Sequence, residues 1–198
     1  EAITHYRIAL ELDPENAGLH EDFGVALFKQ GKTKDAIEHY HKALEIEPDK
    51  ASVYDNLGTV FFQLNRASEA LDYYSKAIEL NPNDAVSHNN IGNVLALQGQ
   101  LAQAIKHYEI SLRIKPEDAE TLNNTANALA GLGRFQEATI KYKGALRISP
   151  NDVGIYCNLG MCLKRQGRID EAKQAYQKAL SINPGYKRAQ KALQQLQQ

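Results

Sequence analysis

The six prolines of the chain recur at one fixed spacing, and this spacing constrains the fold more than any other feature. Each proline follows the previous one by 34 residues; they are Pro14, Pro48, Pro82, Pro116, Pro150 and Pro184. A fixed period of about 20–50 residues is typical of stacked-repeat proteins, in which each repeat packs only against its neighbours. The spacing therefore predicts a stacked-repeat architecture.

Small and aromatic residues keep the same phase before each proline. The alanines twelve residues before it are Ala2, Ala36, Ala70, Ala104, Ala138 and Ala172, and the tyrosines eight before it are Tyr6, Tyr40, Tyr74, Tyr108, Tyr142 and Tyr176. Positions four residues apart share one face of a helix. We expect a helix that buries both columns and ends near the proline, which cannot continue it.

A second helical pattern follows each proline. The residues placed to cap its N-terminus are Asn16, Asp84, Asp118 and Asp152. The small residues ten positions after the proline, where a neighbouring helix can approach closely, are Gly24, Gly58, Gly92, Ala126 and Gly160. The residues at position +17, where a helix end favours left-handed backbone, are Gly31, Asn65, Gly99, Gly133 and Gly167.

These columns closely resemble the tetratricopeptide repeat (TPR) family over essentially the whole chain. The resemblance implies an all-α, right-handed superhelical solenoid of helix-turn-helix units, with the first helix of each unit lining a concave groove. We expect residues 1–198 to form one solenoid domain. Its complete repeats are 17–50, 51–84, 85–118, 119–152 and 153–186.

The two ends are expected to differ. Residues 1–16 provide the second helix of a truncated unit, so the N-terminus is interpreted as cut. Residues 187–198 are expected to form a C-terminal capping helix, since Gln194 and Gln197 give it a polar outer face.

One repeat, 119–152, departs from the pattern. Thr125 and Thr139 replace apolar residues, Ala126 replaces the usual glycine, and Gly131 and Gly144 lie within its helices. Glycine in a helix interior costs about 0.8–1 kcal/mol relative to alanine. We expect this repeat to be the least stable part of the array.

Asparagine is concentrated at the phases that we expect to face the groove. The candidate peptide-binding residues, which include two cations towards the C-terminal end, are Asp22, Asn56, Asn89, Asn90, Asn93, Asn123, Asn124, Asn127, Asn158, Lys164 and Arg165. A primary amide both donates and accepts hydrogen bonds, as a peptide backbone does. Because helices pack about 8–10 Å apart and an extended peptide advances about 3.3 Å per residue, one asparagine per repeat would meet every third peptide residue.

The asparagines have a second interpretation. We number each position by its distance from the preceding proline and call this its phase; an amide at phase +8 can instead bond locally between adjacent helices. Both interpretations stay open. The asparagine ladder also resembles the TPR arm of the O-linked N-acetylglucosamine transferases, which grips extended polypeptide, and this resemblance favours peptide binding.

Composition excludes several classes of function. With 23 Lys and Arg against 24 Asp and Glu, the chain lacks the basic excess of a nucleic-acid binder. It also has no apolar run near the ~20 residues of a membrane span. The six histidines are not spaced for a metal site, no catalytic motif is recognisable, and no cofactor is expected. Cys157 and Cys162 are interpreted as unpaired, buried thiols in a cytoplasmic protein.

The sequence thus predicts a non-enzymatic scaffold or adaptor that binds an extended protein segment in its groove. One alternative is a substrate-recruiting arm of a larger enzyme such as a glycosyltransferase. Another is a structural array that self-associates through the truncated N-terminal helix.

Overall fold

The prolines end helices as expected. In the computed structural model, which describes residues 2–196, every second helix stops two residues before its proline and the next helix starts three residues after it. The residue before a proline is disfavoured in α conformation, which accounts for the common stopping point. Ala2 contributes only its backbone to this description, and Gln197 and Gln198 lie outside it.

Residues 2–196 form twelve α-helices and no β-strand, and the chain divides into two compact units between residues 94 and 95. The helices of the first unit are α1 (Ala2–Leu12), α2 (Ala17–Lys29), α3 (Thr33–Ile46), α4 (Ala51–Gln63), α5 (Ala67–Leu80) and the first ten residues of α6 (Ala85–Leu97). The second unit begins within α6. It continues with α7 (Leu101–Ile114), α8 (Ala119–Gly131), α9 (Phe135–Ile148), α10 (Val153–Arg165), α11 (Ile169–Ile182) and α12 (Lys187–Gln194). The all-α, helix-turn-helix fold class is confirmed, whereas one domain over 1–198 stays a prediction.

Within the first unit α2 packs on α3 and α4 on α5; within the second α8 packs on α9 and α10 on α11. The alanine and tyrosine columns form the core of these pairs. Ala36, Ala70, Ala138 and Ala172 have no exposed surface, and the tyrosines from Tyr40 to Tyr176 are buried. Tyr6 is half-buried, and its ring stacks on Phe23 with 5.8 Å between the ring centroids.

The predicted helix ends are also confirmed. Side chains of Asn16, Asp118 and Asp152 accept the backbone N–H three residues ahead, and Asp84 accepts that of Val86. Position +17 is left-handed in every repeat, with φ between 59° at Asn65 and 76° at Gly31 and Gly99. The following N–H closes the helix end, for example from Lys32 to the Leu27 carbonyl at 3.0 Å.

Both cysteines are buried and unpaired, as predicted. Burial raises the pKa of each thiol. None of the helices between residues 2 and 196 combines the length and the apolar character that crossing a bilayer requires.

Candidate functional site

The predicted site residues lie on the first helices of the repeats, which are α2, α4 and the start of α6 in the first unit and α8 and α10 in the second. We call the surface that these residues form in each unit its first-helix face. Asp22, Asn127, Lys164 and Arg165 are exposed on it. Half-buried there are Asn56, Asn90, Asn93, Asn123, Asn124 and Asn158.

In the first unit the phase +8 amides join one repeat to the previous one. Asn56 Nδ2 donates to Glu21 Oε1 at 3.0 Å, and Asn90 Nδ2 donates to Asp55 Oδ1 at 3.2 Å. Ser87 Oγ donates to the same Asp55 oxygen at 2.8 Å. Burial raises the pKa of Asp55, although both hydrogen bonds oppose that shift. These two asparagines therefore bond locally, between adjacent first helices.

In the second unit Asn127 is the central amide. Its Oδ1 accepts from Tyr142 OH at 2.6 Å and from Asn158 Nδ2 at 3.2 Å. Asn158 Oδ1 in turn accepts from Arg188 at 3.2 Å. Because both lone pairs of Asn127 Oδ1 are occupied, the amide orientation is set, and its two Nδ2 hydrogens have no partner within residues 2–196.

Phase +7 lies deeper than the sequence suggested. The expectation that Asn89, seven residues after Pro82, faces the groove is wrong, because Asn89 is 8% exposed, and Cys157 at the same phase is 4% exposed. The physical reason is visible at Asp55, the +7 residue of its repeat, where side chains of the next first helix lie over it. At Asn123, also at +7, Oδ1 is buried and has no hydrogen-bond partner among residues 2–196; Asn158 of the next repeat bonds to Asn127.

A cavity of about 290 Å³ opens on the first-helix face of the second unit, between α8 and α10. The residues that line this α8–α10 cavity are Asn127, Ala130, Gly131, Phe135, Tyr142, Met161, Cys162 and Arg165. Sequence reasoning named Asn127 and Arg165 but missed the apolar wall. The available signal was the pair of small residues at phases +14 and +15, where the first repeat has Phe28 and Lys29.

A second cavity, of about 650 Å³, lies among α1, α2 and α3. Side chains of both charge signs line it, including Arg7, Lys42, Glu11 and Asp35. In its wall His20 Nδ1 lies 2.9 Å from His39 Nδ1, and His20 Nε2 lies 3.0 Å from the Pro14 carbonyl oxygen. A comparison of histidines at equal phase misses this pair, because its members lie at phases +6 and −9.

The described residues contain no group of three His, Cys, Asp or Glu side chains placed to hold a metal ion. The chemistry that the two first-helix faces offer is hydrogen bonding by amides, a positive charge beside an apolar cavity, and exposed acid at Asp22.

Solved structures of similar fold are TPR proteins and assemblies. YrrB, a TPR protein with an unusual peptide-binding site, aligns with a TM-score of 0.77 and 23% identity over 94% of this chain and 96% of that one. Pseudomonas aeruginosa pilF aligns at 0.84 and 24% identity over 96% of this chain and 86% of that one. The APC/C hetero-tetramer Cut9–Hcn1 aligns at 0.85 and 20% identity, covering 100% of this chain but only 39% of that one. These likenesses show the fold alone.

No curated protein matches the chain. Residues 1–196 match the family of the cilia and flagella-associated protein 70 C-terminal domain, whose members carry TPR repeats. The repeat columns, the helix pairs and this match agree, and the chain belongs to that family of TPR domains.

Proposed function

We propose that the chain is a protein–protein interaction scaffold that binds an extended segment of a partner along its first-helix faces. The TPR fold itself indicates an interaction scaffold. The single observation that carries the finer proposal is Asn127, an exposed amide whose orientation is set by two hydrogen bonds and whose N–H groups are available to a ligand. YrrB, the similar protein with a peptide-binding site, adds support.

Hydrogen bonds from the amides alone would not supply the free energy of binding that a partner peptide needs. One net hydrogen bond contributes about 0.5–1.5 kcal/mol, whereas a micromolar complex needs about 8 kcal/mol. In the first unit Asn56 and Asn90 are already engaged with Glu21 and Asp55, so they stiffen the face more than they bind. Apolar and charged contacts of the peptide side chains must supply the larger share.

The test is a selection of random ten-residue peptides against the whole chain, followed by affinity measurement with Asn127→Asp. This replacement keeps an oxygen that accepts from Tyr142 and Asn158 but removes the two N–H donors. We expect selected peptides to bind about fivefold more weakly, the equivalent of one hydrogen bond, with the melting temperature little changed.

Asn151→Asp is the matched control, because Asn151 is exposed in the turn before α10 and the charge change is identical. It should leave binding unchanged. Failure to recover any binding peptide, or equal weakening by both replacements, would contradict the proposal. Amide exchange of the peptide complex should show added protection in α8 and α10 rather than in α9 and α11.

A further inference from the structure

Beside the α8–α10 cavity the fourth repeat has small residues where the first two repeats have larger ones. Its phases +14 and +15 hold Ala130 and Gly131. In the first unit the +14 residues are Phe28 and Phe62, both half-buried. Ala130 places no aromatic ring at the cavity, which lies on the face where the peptide is proposed to bind.

The size and walls of the cavity suit one large apolar side chain. Its volume of about 290 Å³ is just below the range of ligand pockets, about 300 to 1,000 Å³, so it is small for a whole ligand. Phe135 and Cys162 provide apolar wall, and Met161 is 46% exposed at the rim. A methionine side chain adapts to different apolar shapes, so the cavity favours bulk over one particular residue.

The positive charge at the cavity favours a peptide that carries an acidic residue. Arg165 is the one charged residue among its lining residues, and no carboxylate lines it. Arg165 is exposed and makes no ion pair with any residue from 2 to 196. Lys164 precedes it and is also exposed. An unneutralised guanidinium beside an apolar cavity attracts a carboxylate and forms paired hydrogen bonds with it.

We infer that the α8–α10 cavity is an anchor site for a partner peptide that inserts a bulky apolar side chain and carries Asp or Glu within two residues of it. Asn127, at the same cavity, donates to a carbonyl of the peptide backbone, and Arg165 binds the carboxylate. This inference rests on the proposed function and specifies which peptides it selects.

To test this, random peptides are selected against the whole chain and against two variants, and the selected peptides are sequenced. Against the wild type we expect Leu, Ile, Met or Phe to be enriched together with a nearby Asp or Glu. In Ala130→Phe the apolar preference should vanish and the wild-type peptides should bind at least about tenfold more weakly, as burial of one such side chain implies. In Arg165→Glu the acidic preference should be lost, with affinity reduced about fivefold.

Matched controls separate the cavity from general effects. Ala102→Phe adds the same ring at an exposed site on α7, and Lys143→Glu makes the same charge reversal at an exposed site on α9. Neither should change the selected peptides. Arg165 forms no ion pair with any residue from 2 to 196, so its replacement removes no such contact. Arg165→Glu therefore stays informative even if Ala130→Phe perturbs folding.

The outcomes distinguish this inference from the proposed function. Peptides that bind and respond to Asn127→Asp, yet show no apolar–acidic preference and tolerate Ala130→Phe and Arg165→Glu, would overturn the inference and leave the proposed function standing. If no peptide responds to Asn127→Asp, the proposed function fails as well.

Discussion

At the scale of single residues, a tyrosine ring fills the space beside three of the glycines at phase +10. A Cβ placed on Gly58 would lie 2.6 Å from the ring of Tyr74, and the same holds for Gly24 with Tyr40 and nearly so for Gly160 with Tyr176, at 2.7 Å. The sequence predicted a close approach at these glycines without identifying the partner. The partner is the tyrosine of the same repeat, so in these repeats the phase +10 glycine and the tyrosine pack against each other.

Two glycine replacements should therefore change stability in opposite directions. Gly58→Ala should destabilise the chain by about 1–3 kcal/mol, because the ring must move out of a packed core. Gly144→Ala should stabilise it by about 0.8–1 kcal/mol, because Gly144 lies within α9 and a Cβ there meets nothing nearer than Leu122 at 3.6 Å.

Chemical unfolding of both variants and the wild type measures these changes. An unchanged midpoint for Gly58→Ala would mean that Tyr74 has room to shift. A lower midpoint for Gly144→Ala would mean that the methyl group is not accommodated.

At phase +6, several side chains make the same hydrogen bond to a proline carbonyl, which the sequence pattern did not reveal. His20, Tyr54, His88 and Gln190 each direct a side-chain polar atom to the carbonyl of the proline six residues earlier, at 2.7–3.3 Å. The column is chemically mixed, so similarity of residue type does not identify it. What its members share is a hydrogen-bonding atom at the end of a side chain of similar reach.

At the scale of helices, α2 and α3 are joined by the His20–His39 pair. The Pro14 carbonyl can only accept, so His20 Nε2 donates to it, and the neutral His20 ring accepts at Nδ1 from His39 Nδ1–H. Two protonated rings would bring their Nδ1–H groups together. Burial lowers the pKa of His39, with nearby His20 and Lys42 adding to the effect and Asp35 opposing it.

The pair predicts an acid-sensitive contribution to stability. Because the folded state disfavours protonated His39, the unfolded chain binds more protons as pH falls through the ordinary histidine pKa of 6.5. The contribution is complete above that pH and is lost below it. Between pH 7.5 and pH 5.5, the melting temperature of the wild type should fall further than that of His39→Gln.

His41→Gln is the matched control, because His41 is exposed two residues further along α3. It should keep the wild-type pH dependence. Equal losses in the wild type and His39→Gln would show that the pair does not couple folding to pH.

Helix ends are the elements that sequence reasoning placed best. Capping and left-handed termination depend on residues a few positions apart, so Asp118 and Asn65 could be assigned without knowing what packs nearby. The burial of Asn89 could not be assigned in this way, because it depends on how far one helix covers the next.

At the scale of the whole molecule, repeat 119–152 remains the one that differs most. Two of its hydroxyls bond within their own helices, from Thr125 to the Thr121 carbonyl at 2.7 Å and from Thr139 to the Phe135 carbonyl at 2.9 Å. The Thr125 bond adds no contact between helices. Thr139 Oγ1 also accepts from Gln166 Nε2 at 2.7 Å, which joins α9 to the end of α10. The cavity beside Ala130 and Gly131 also removes packing. The proposed anchor site lies where this repeat meets the next, since Met161 and Arg165 of α10 also line the cavity.

We expect amides of α8 and α9 to exchange with solvent faster than those of α4 and α5 under native conditions. The reason is that local opening costs less where packing is poorer and glycine more frequent. Hydrogen–deuterium exchange followed by mass spectrometry measures this difference. Gly144→Ala should slow exchange in α9 specifically, whereas equal protection in all repeats would contradict the expectation.

The repeat length, the helix boundaries, the caps and the buried alanine and tyrosine columns could all be inferred from residue order, because each depends on interactions within about one repeat and recurs with the same phase. Which asparagines are engaged could not be inferred. Asn56 and Asn90 bond to Glu21 and Asp55, whereas the Asn127 N–H groups bond to no residue from 2 to 196, because of where neighbouring helices bring their side chains. The α8–α10 cavity and the His20–His39 contact have the same origin: they join residues of different helices and phases, and only packing in three dimensions brings those residues together.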